Sequence, residues 1–589
     1  MRKTFFRIAL CALAVVLSVG CMSACKTPVA AENFCVHGKS IVDGCYECGT
    51  ACKHGIHLDR ACAECEREAT YCEHGLPRVD CRICTPLEVA KINFWGWGDA
   101  TESEVFTELV RKFNEEYRGV VEVVYSNKSQ AEYEQTTHIA LAGRSGPDVF
   151  YIGDGDAKQW ITQGYASPLD DYLATSTIVD PDDIWDSALQ RYRYDPLAVQ
   201  SRPGDPLYAL PKDIGPTVIY YNRTAMQNAD VDVSEISVFE EELAAYNTAN
   251  SKNYPARGFF LVNGAGNIVT VEDMNVTVAS MKAAGMKRIF NNRIPMTWEE
   301  TVALSKLLTR DNAYNSQAPT RWGYYTEWWF NYGWSVGGNC VKFDENDNVW
   351  KFTLGDRTQL RNPQTNQLMP SQFDAFAHFV QLSQPRTNTN IDGNGMSGLA
   401  ITPPPQSDKV GRFRAGGASN GIAMLVDGRW TTAVLRRTPP AFDWDVAPLP
   451  RAATGVEAGH SGSVGLAINS KSVLKNTSWK LIEYLAGPEG QTAQSLTGFN
   501  IPNQKSIANS EVFLQSDQKP ANAAIFLRAA EVQGPGDWAF LPDDSWIEYW
   551  APTLNTTVRG GTMDLTTFFN TVQDATNVAL ARYQTPTLA

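Results

Sequence analysis

The sequence is poor in basic residues and in histidine, and both shortages argue against whole classes of function. Its 589 residues carry 51 Lys and Arg against 65 Asp and Glu, a formal net charge of -14, without any cluster of basic side chains. Binding to nucleic acid depends on such clusters, so no nucleic-acid partner is expected. Beyond residue 84 the only histidines are His138, His378 and His460, and no convincing Ser/His/Asp series accompanies them. No enzyme is therefore predicted.

Two further motifs are missing. The sequence has no glycine-rich phosphate loop, and "GAGNIV" at 264–269 lacks the spacing of a nucleotide fingerprint. After the N-terminal region, no segment is apolar enough to span a bilayer. We therefore expect neither a bound nucleotide nor a transmembrane helix in the mature protein.

The N-terminal region has the pattern of a secretory signal. Arg2 and Lys3 precede an apolar run at 8–19, and small residues then lead to a cysteine. This pattern predicts a lipoprotein-type signal peptide at 1–20 and an anchor and linker at 21–34. Cys21 is the predicted lipidation site because it directly follows the apolar run, with Cys25 or a plainly cleaved signal as alternatives. The protein is predicted to lie outside the cytoplasm, lipid-anchored to the bacterial membrane.

Residues 35–84 contain three repeats in which C-x-H-G is followed by C-x-x-C. Each repeat has three cysteines, an odd number, so disulfides within a repeat cannot use them all. Three thiolates and one imidazole form a tetrahedral donor set for zinc, and a structural zinc module is preferred to mixed disulfides or metal sensing. The predicted ligands are Cys35, His37, Cys45, Cys48, Cys52, His54, Cys62, Cys65, Cys72, His74, Cys81 and Cys84. Which of them share a site is left open.

A globular domain begins near residue 89. "KINFWGW" and "VVEVVYS" are predicted strands, "GPDVFYIGD" is a third, and a capping box of Thr101 and Glu104 predicts the start of an intervening helix. Strands that alternate with helices indicate a parallel sheet, whose ligand crevice lies at the carboxyl ends of the strands. Those ends carry Trp97, Asp99 and Asp154.

Ten segments from residue 92 onward occur in the order typical of one protein family. They are "INFWGWGD", "LVRKFNEEY", "ALAGRSGPDVFYIGDGDAKQWITQGYASPLDDYL", "GDPLYALPKDIGPTVIYYNRTAM", "MTWEETVALSKLLT", "GIAMLVDGRW", "FDWDVAPLPR", "SGSVGLAINSKS", "SWKLIEYLAGPEGQ" and "NIPNQKS". Through them the chain resembles the bacterial extracellular solute-binding proteins of family 1, the maltose-binding type, which feed ABC importers. The resemblance covers roughly residues 90 to 589.

The resemblance implies an α/β fold of two lobes, the type II periplasmic-binding-protein arrangement, with a hinged cleft between them. Within a domain at 89–589, lobe one would cover about 89–216 and 457–510, and lobe two about 217–456 and 511–589. The segment between Gln227 and Arg293 is unusually long, and is predicted to be either a subdomain bordering the cleft or a surface elaboration.

The implied function is binding of a sugar or oligosaccharide and its delivery to ABC permease subunits, by a monomer without a cofactor in the binding domain. A non-sugar solute such as glycerol phosphate, a glycoside-active enzyme and a metal-handling lipoprotein are the alternatives. The aromatic content supports a sugar, since sugar rings stack on aromatic planes while their hydroxyls need polar partners.

The predicted ligand-binding residues combine aromatic planes with polar groups. "RWGYYTEWWFNYGW" concentrates aromatic side chains between residues 321 and 334, and Trp430 matches a sugar-stacking position of the family. "SGS" at 461–463 would border the ligand near the returning crossover. The predicted set is Trp97, Asp99, Asp154, Trp328, Trp329, Arg429, Trp430 and Ser461.

Overall fold

The computed structural model describes residues 89–583 apart from 144, 199–200, 264–267, 270–277, 311–319, 345, 404–407 and 417–419. The predicted signal peptide, the anchor with Cys21 and Cys25, and all twelve predicted zinc ligands at 35–84 lie outside the described residues. They therefore stay predictions.

The strands alternate with helices in the first part of the chain, as predicted. In chain order the strands are β1 (Ala90–Trp97), β2 (Val121–Lys128), β3 (Val149–Gly153), β4 (Leu210–Pro211), β5 (Gly215–Asn222), β6 (Val231–Asp232), β7 (Phe259–Val262), β8 (Ile268–Val269), β9 (Lys287–Phe290), β10 (Arg321–Trp322), β11 (Val341–Asp344), β12 (Val349–Phe352), β13 (Gly421–Ile422), β14 (Met424–Gly428), β15 (Trp444–Ala447), β16 (Ser461–Gly462) and β17 (Val464–Ile468).

The helices cover the sheets and form most of the second half. They are α1 (Ala100–Glu116), α2 (Gln130–Ala142), α3 (Asp154–Thr162), α4 (Asp170–Thr175), α5 (Asp186–Gln190), α6 (Arg223–Asn228), α7 (Leu243–Asn250), α8 (Val278–Ala283), α9 (Trp298–Leu308), α10 (Phe330–Trp334), α11 (Gln372–Ser383), α12 (Lys409–Ala415), α13 (Trp430–Arg437), α14 (Lys475–Ala486), α15 (Pro488–Leu496), α16 (Lys505–Ala508), α17 (Glu511–Leu514), α18 (Ala524–Val532), α19 (Ala551–Thr553) and α20 (Leu565–Leu580). Short 3-10 turns are Pro181–Asp183, Glu240–Glu242, Asp537–Phe540, Ser545–Tyr549 and Ala581–Tyr583, and Leu554–Val558 is a π turn.

Lobe one is built on a five-stranded sheet with the order β2-β1-β3-β17-β4. β1 pairs in parallel with both β2 and β3, so the predicted parallel strands form as expected. β17 returns from the far end of the chain and pairs antiparallel to β3, which makes the sheet mixed. The carboxyl ends of β1 and β3 therefore lie side by side at one edge of lobe one.

The first helix of lobe one has the predicted apolar face but a different cap. Phe106, Leu109 and Phe113 are buried along one side of α1, as their helical spacing predicts. The predicted capping box of Thr101 and Glu104 is wrong. α1 begins at Ala100, and the Asp99 carboxylate accepts hydrogen bonds from the backbone N–H of residues 101 and 102 at 2.7 and 3.0 Å. Only two residues separate β1 from α1, so an aspartate at that point reaches the free N–H groups first.

A small linking sheet joins the lobes, with β5 between β14 and β15 and with β16 paired to the start of β5. Successive side chains of β5 point to opposite faces. Ile219 and Tyr221 belong to the core of lobe two, whereas Val218 and Tyr220 pack in the core that continues into lobe one. One strand thus contributes alternate side chains to two cores.

Lobe two contains the long segment between residues 227 and 293. Its strands form a sheet with the order β6-β9-β7-β8. Phe259, Leu261 and Phe290 are buried in the lobe-two core, together with Trp550 and Phe569 from the C-terminal part of the chain. The segment is therefore an integral layer of lobe two rather than a surface elaboration.

Candidate functional site

A cleft with a volume of about 1030 Å³ lies between the lobes. Lobe one contributes the carboxyl ends of β1 and β3 and the first turns of α1, α2 and α3. The opposite wall comes from the start of α13 and from the chain after the turn Asp537–Phe540. The residues lining it are Trp97, Gly98, Asp99, Glu102, Gln130, Glu134, Gly153, Asp154, Gly155, Asp156, Gln159, Lys212, Asp213, Gly215, Trp430, Val434, Gly462, Ser463, Val464, Phe499, Asn500, Trp538, Leu541, Asp543, Asp544 and Ser545.

Two tryptophans from different parts of the chain form aromatic walls of the cleft. Trp97, at the end of β1, is held edge-on against Tyr151, with ring centroids 5.3 Å apart, and also contacts Tyr133 at 4.8 Å. Trp430 opens α13 and lies against glycine backbone. A methyl group on Gly428 would come within 2.1 Å of the Trp430 ring, so only glycine leaves room for this indole. Both planes are fixed by packing before any ligand arrives.

A buried ion group forms part of the cleft wall. The Lys212 ammonium lies 2.9 Å from the Glu102 carboxylate and 2.6 Å from that of Asp213, and its side chain is 1% exposed. Asp213 also accepts hydrogen bonds from the Asn500 side chain at 2.7 Å and from the backbone N–H of residue 464 at 2.9 Å. Burial alone would lower the pKa of Lys212, but the two carboxylates overcome that effect and raise it. The lysine is therefore held as a cation.

Asp154 is the next acid along the wall. Its carboxylate accepts a hydrogen bond from the fully buried Arg191 guanidinium at 2.8 Å. Arg191 also donates to the carbonyl oxygen of Ser461. Burial raises the pKa of Asp154 despite the arginine. This pair connects α3 with the strand β16 that returns from the linking sheet.

Three further acids on the wall, Glu134, Asp156 and Asp544, form no ion pair with any described residue. Asp156 lies in the first turn of α3 and is partly buried. Burial raises its pKa to about 7, with further contributions from the negative charges of Glu134, Asp544 and Asp154. By contrast, the neighbouring Asp543 is paired with Arg582 at 2.8 Å.

The structure brings four of the eight predicted binding residues to the cleft: Trp97, Asp99, Asp154 and Trp430. Trp328 lies behind this layer, with its ring centroid 6.2 Å from that of Trp430. The described cleft lining does not include Trp328, Trp329, Arg429 or Ser461.

Each of the other three predicted residues has a packing role. Trp329 contacts Phe376 and Trp550 in lobe two, with ring centroids 5.8 and 5.3 Å away. Arg429 is fully buried with its guanidinium over the rings of Phe513 and Phe526, and burial lowers its pKa to about 9. The Ser461 side chain is also fully buried, in β16.

Several lining residues were missed by the sequence analysis. Lys212 and Asp213 are adjacent in "LPKDIG", immediately before the linking strand. A charged pair at the point where the chain is predicted to pass from lobe one to lobe two is the pattern that could have identified them. Trp538, Asp543 and Asp544 lie in "GDWAFLPDDSW", where an aromatic residue and paired acids follow a Gly-Pro-Gly break. Of the described residues between 227 and 293, none lines the cleft.

The part of the chain that the structure describes shows neither a metal site nor a membrane-spanning helix. Within it, no three His, Cys, Asp or Glu side chains are grouped in a way that would hold a metal ion. None of the helices found there has the length and apolar character needed to cross a membrane.

Known proteins resemble this chain in sequence over one region and in fold over most of its length. Residues 97–280 match the family model for bacterial extracellular solute-binding proteins. The fold is shared with the ABC substrate-binding protein Lmo0181 from Listeria monocytogenes, solved with cycloalternan, at 16% identity and a TM-score of 0.57, covering 84% of this chain and 99% of that chain.

Two other solved structures show the same likeness. The sugar-binding protein MalE from Xanthomonas citri is 18% identical with a TM-score of 0.56, covering 84% of this chain and 98% of that chain. UgpB from Mycobacterium tuberculosis, solved with glycerophosphocholine, is 18% identical with a TM-score of 0.53, covering 84% of this chain and 99% of that chain. The predicted family resemblance and the two-lobed α/β fold are thereby confirmed.

Replacing the buried lysine should strongly destabilise the fold. Lys212→Met leaves Glu102 and Asp213 without their cation, and breaking a buried pair in this way costs about 3–5 kcal/mol. The midpoint of urea unfolding should fall accordingly, and less so at acidic pH, where the carboxylates are protonated. Lys91→Met removes an exposed pair with Glu122 and should change the midpoint little. An unchanged midpoint for Lys212→Met at pH 7 would contradict the assigned role of the ion group.

Neutralising Asp156 should stabilise the protein in a pH-dependent way. The pKa of Asp156 is about 7 in the folded chain, so this carboxyl stays protonated to a higher pH in the folded than in the unfolded chain. Its contribution to the stability of the fold therefore falls as pH rises from about 4 to 7. Asp156→Asn removes this loss. Its melting temperature relative to wild type should rise between pH 4 and 7 by about 2 °C or more and then level off. Asp186→Asn, with a side chain 96% exposed, is the matched control. A difference that does not vary with pH would refute the assignment.

Proposed function

We propose that this protein is the solute-binding component of an ABC importer and that it holds a carbohydrate in the cleft between its lobes. One observation carries the proposal: a cleft of about 1030 Å³ combines two fixed indole planes, Trp97 and Trp430, with several carboxylates and the amide of Asn500. Sugar rings need both kinds of partner, since their C–H faces are apolar and their hydroxyls are not. The volume suits more than one sugar ring.

The polar groups of the cleft favour a ligand that donates hydrogen bonds. Ionised carboxylates only accept, and sugar hydroxyls donate readily. The alternative of an anionic solute such as glycerol phosphate has less support. Such a solute would need arginine partners, but Arg429 and Arg321 are both buried, and Arg321 donates to the carbonyl oxygen of Leu308 at 2.8 Å.

The binding mechanism that we propose is cleft closure. On the opposite wall, Trp538 and Leu541 pack in the lobe-two core, whereas Leu435 of α13 lies in the core that continues into lobe one. In addition, α3 of lobe one packs against the turn Asp537–Phe540 of lobe two. Arg437 in α13 contacts Asp99 and Thr101 at the start of α1, with a 3.7 Å separation from the Asp99 carboxylate. A ligand that contacts both walls stabilises the closed form, and the closed form would dock on the permease subunits. The proposal includes no catalytic step.

The N-terminal region gives the proposed location. The matching family is extracellular, in agreement with the secretory signal expected at 1–20. We propose that Cys21 carries a lipid that anchors a monomeric protein to the outer face of the membrane, and that the repeats at 35–84 bind zinc as a structural module between anchor and binding domain. The sequence supports both proposals.

Glycan binding should depend on Trp97 and Trp430, two of the three tryptophans that line the cleft. A thermal-shift screen of the full-length chain in detergent, followed by calorimetry, should identify a mono- or oligosaccharide that raises the melting temperature. Trp97→Ala and Trp430→Ala should each weaken its binding by about tenfold or more through lost stacking. Trp350→Ala is the control, since Trp350 packs on Phe343 in the β11–β12 hairpin and does not line the cleft. Stabilisation by none of the glycans would contradict the proposal, and product formation from one would favour the glycosidase alternative.

The repeats should contain zinc that depends on their own cysteines. Elemental analysis of the full-length chain, prepared with zinc under reducing conditions, should find at least about one zinc per chain, because each repeat supplies a four-donor set. Replacing Cys62 and Cys65 with serine should lower the zinc content. Cys340→Ala should leave it unchanged, because this buried cysteine lies in lobe two. A metal-free chain would refute the zinc assignment.

A further inference from the structure

The charges lining the cleft do not balance. Eight carboxylate side chains line it, and among the described residues Lys212 is the only basic side chain that does so. Five of the eight have a cationic partner within the fold, namely Asp99, Glu102, Asp154, Asp213 and Asp543. Glu134, Asp156 and Asp544 have no such partner among the described residues. The charge that remains for a ligand is therefore negative.

The three unpaired acids reach the cleft from both lobes. Glu134 lies in α2, Asp156 in the first turn of α3, and Asp544 directly before the turn Ser545–Tyr549 of lobe two. Glu134 and Asp544 are close enough to raise the pKa of Asp156, after the larger effect of its burial. A cation between the lobes would lower the electrostatic energy of all three.

The aromatic plane of Trp97 lies near Asp156. A methyl group added to Gly153, at the end of β3, would lie 3.7 Å from the Oδ2 atom of Asp156 and 3.7 Å from the Cη2 atom of Trp97. Asp156 and Trp97 thus flank the side-chain-free face of Gly153, and a ligand group that approaches this face from the cleft would contact a carboxylate and an indole together. Ammonium groups favour this combination, because both the charge and the ring quadrupole attract them.

We propose that the cleft selects a cationic carbohydrate, an amino sugar whose ammonium group sits over Gly153 between Asp156 and Trp97. This inference rests on the proposed function and names the substrate class of the same cleft. The tryptophan planes favour a sugar ring. The acids without a cationic partner favour a positive charge on that ring. A bare metal ion fits less well, since the described acids are not grouped as metal ligands.

The test is calorimetry on the full-length chain in detergent with matched amino and neutral sugars. The pairs are glucosamine and glucose, galactosamine and galactose, and mannosamine and mannose, with the β-1,4-linked tetrasaccharides of glucosamine, N-acetylglucosamine and glucose. At about pH 7 and low salt, where about half of the Asp156 carboxyl is already ionised before the ligand binds, at least one amino form should bind about tenfold or more tighter than its neutral counterpart. The advantage should shrink in about 0.5 M salt, because screening weakens charge attraction.

Substitution of the acids tests whether they cause the preference for the amino sugar. Asp156→Asn should weaken binding of the amino form by about tenfold and leave the neutral form within about threefold. Asp544→Asn should act in the same direction. Asp186→Asn removes one exposed negative charge whose side chain does not line the cleft, and it should change neither affinity. Because removal of like charge is expected to stabilise Asp156→Asn, loss of folding does not obscure the result.

The outcomes separate this inference from the proposed function. Tight binding of a neutral sugar with no gain for its amino form would overturn the inference and leave sugar binding intact. Equal loss of amino and neutral binding in Asp156→Asn would also overturn it, since the acid would then serve hydroxyl groups. Binding of none of the sugars, amino or neutral, would overturn the proposed function as well.

Discussion

The binding cleft depends on one buried lysine. The Lys212 ammonium is bound by Glu102 from the first helix and by Asp213 from the entry to the linking strand, and Asp213 is bonded in turn to Asn500 and to the start of β17. Four distant parts of the chain thus meet around one charge. A buried cation without its partners is far more costly than an exposed one, so the group forms as a whole or not at all. It fixes the end of lobe one from which Trp97 and Asp154 face the cleft.

The charges of the cleft fall into two classes with different consequences. Lys212 with Glu102 and Asp213, Arg191 with Asp154, and Arg582 with Asp543 form ion groups within the protein and position the backbone. Glu134, Asp156 and Asp544 line the cleft without such partners among the described residues, so their field would act on a ligand. The low-dielectric walls of a cleft make such a field stronger than it is at an open surface. The charges that position the backbone are therefore different residues from the charges that would act on a ligand.

Local periodicity accounts for what the sequence analysis predicted well. The strands β1 to β3, the buried face of α1 and the clustering of Trp97, Asp99 and Asp154 follow from spacing and from the rule that parallel strands end at one edge. The errors have physical causes. Arg429 adjoins Trp430, but consecutive residues at a helix start point about 100° apart, so one side chain enters the cleft and the other the core. Asp543 and Asp544 approach α3 from nearly 400 residues away, and no local pattern encodes that contact.

The alternation of side chains along β5 links lobe movement to the electrostatics of the cleft. Because Ile219 and Val218 anchor the same strand in two different cores, the lobes share a rigid element while their outer parts stay separate. Asp156 belongs to lobe one and Asp544 to lobe two, and the charge of Asp544 contributes to the raised pKa of Asp156. The proposed cationic sugar would place its ammonium group near these two like charges and lower their repulsion.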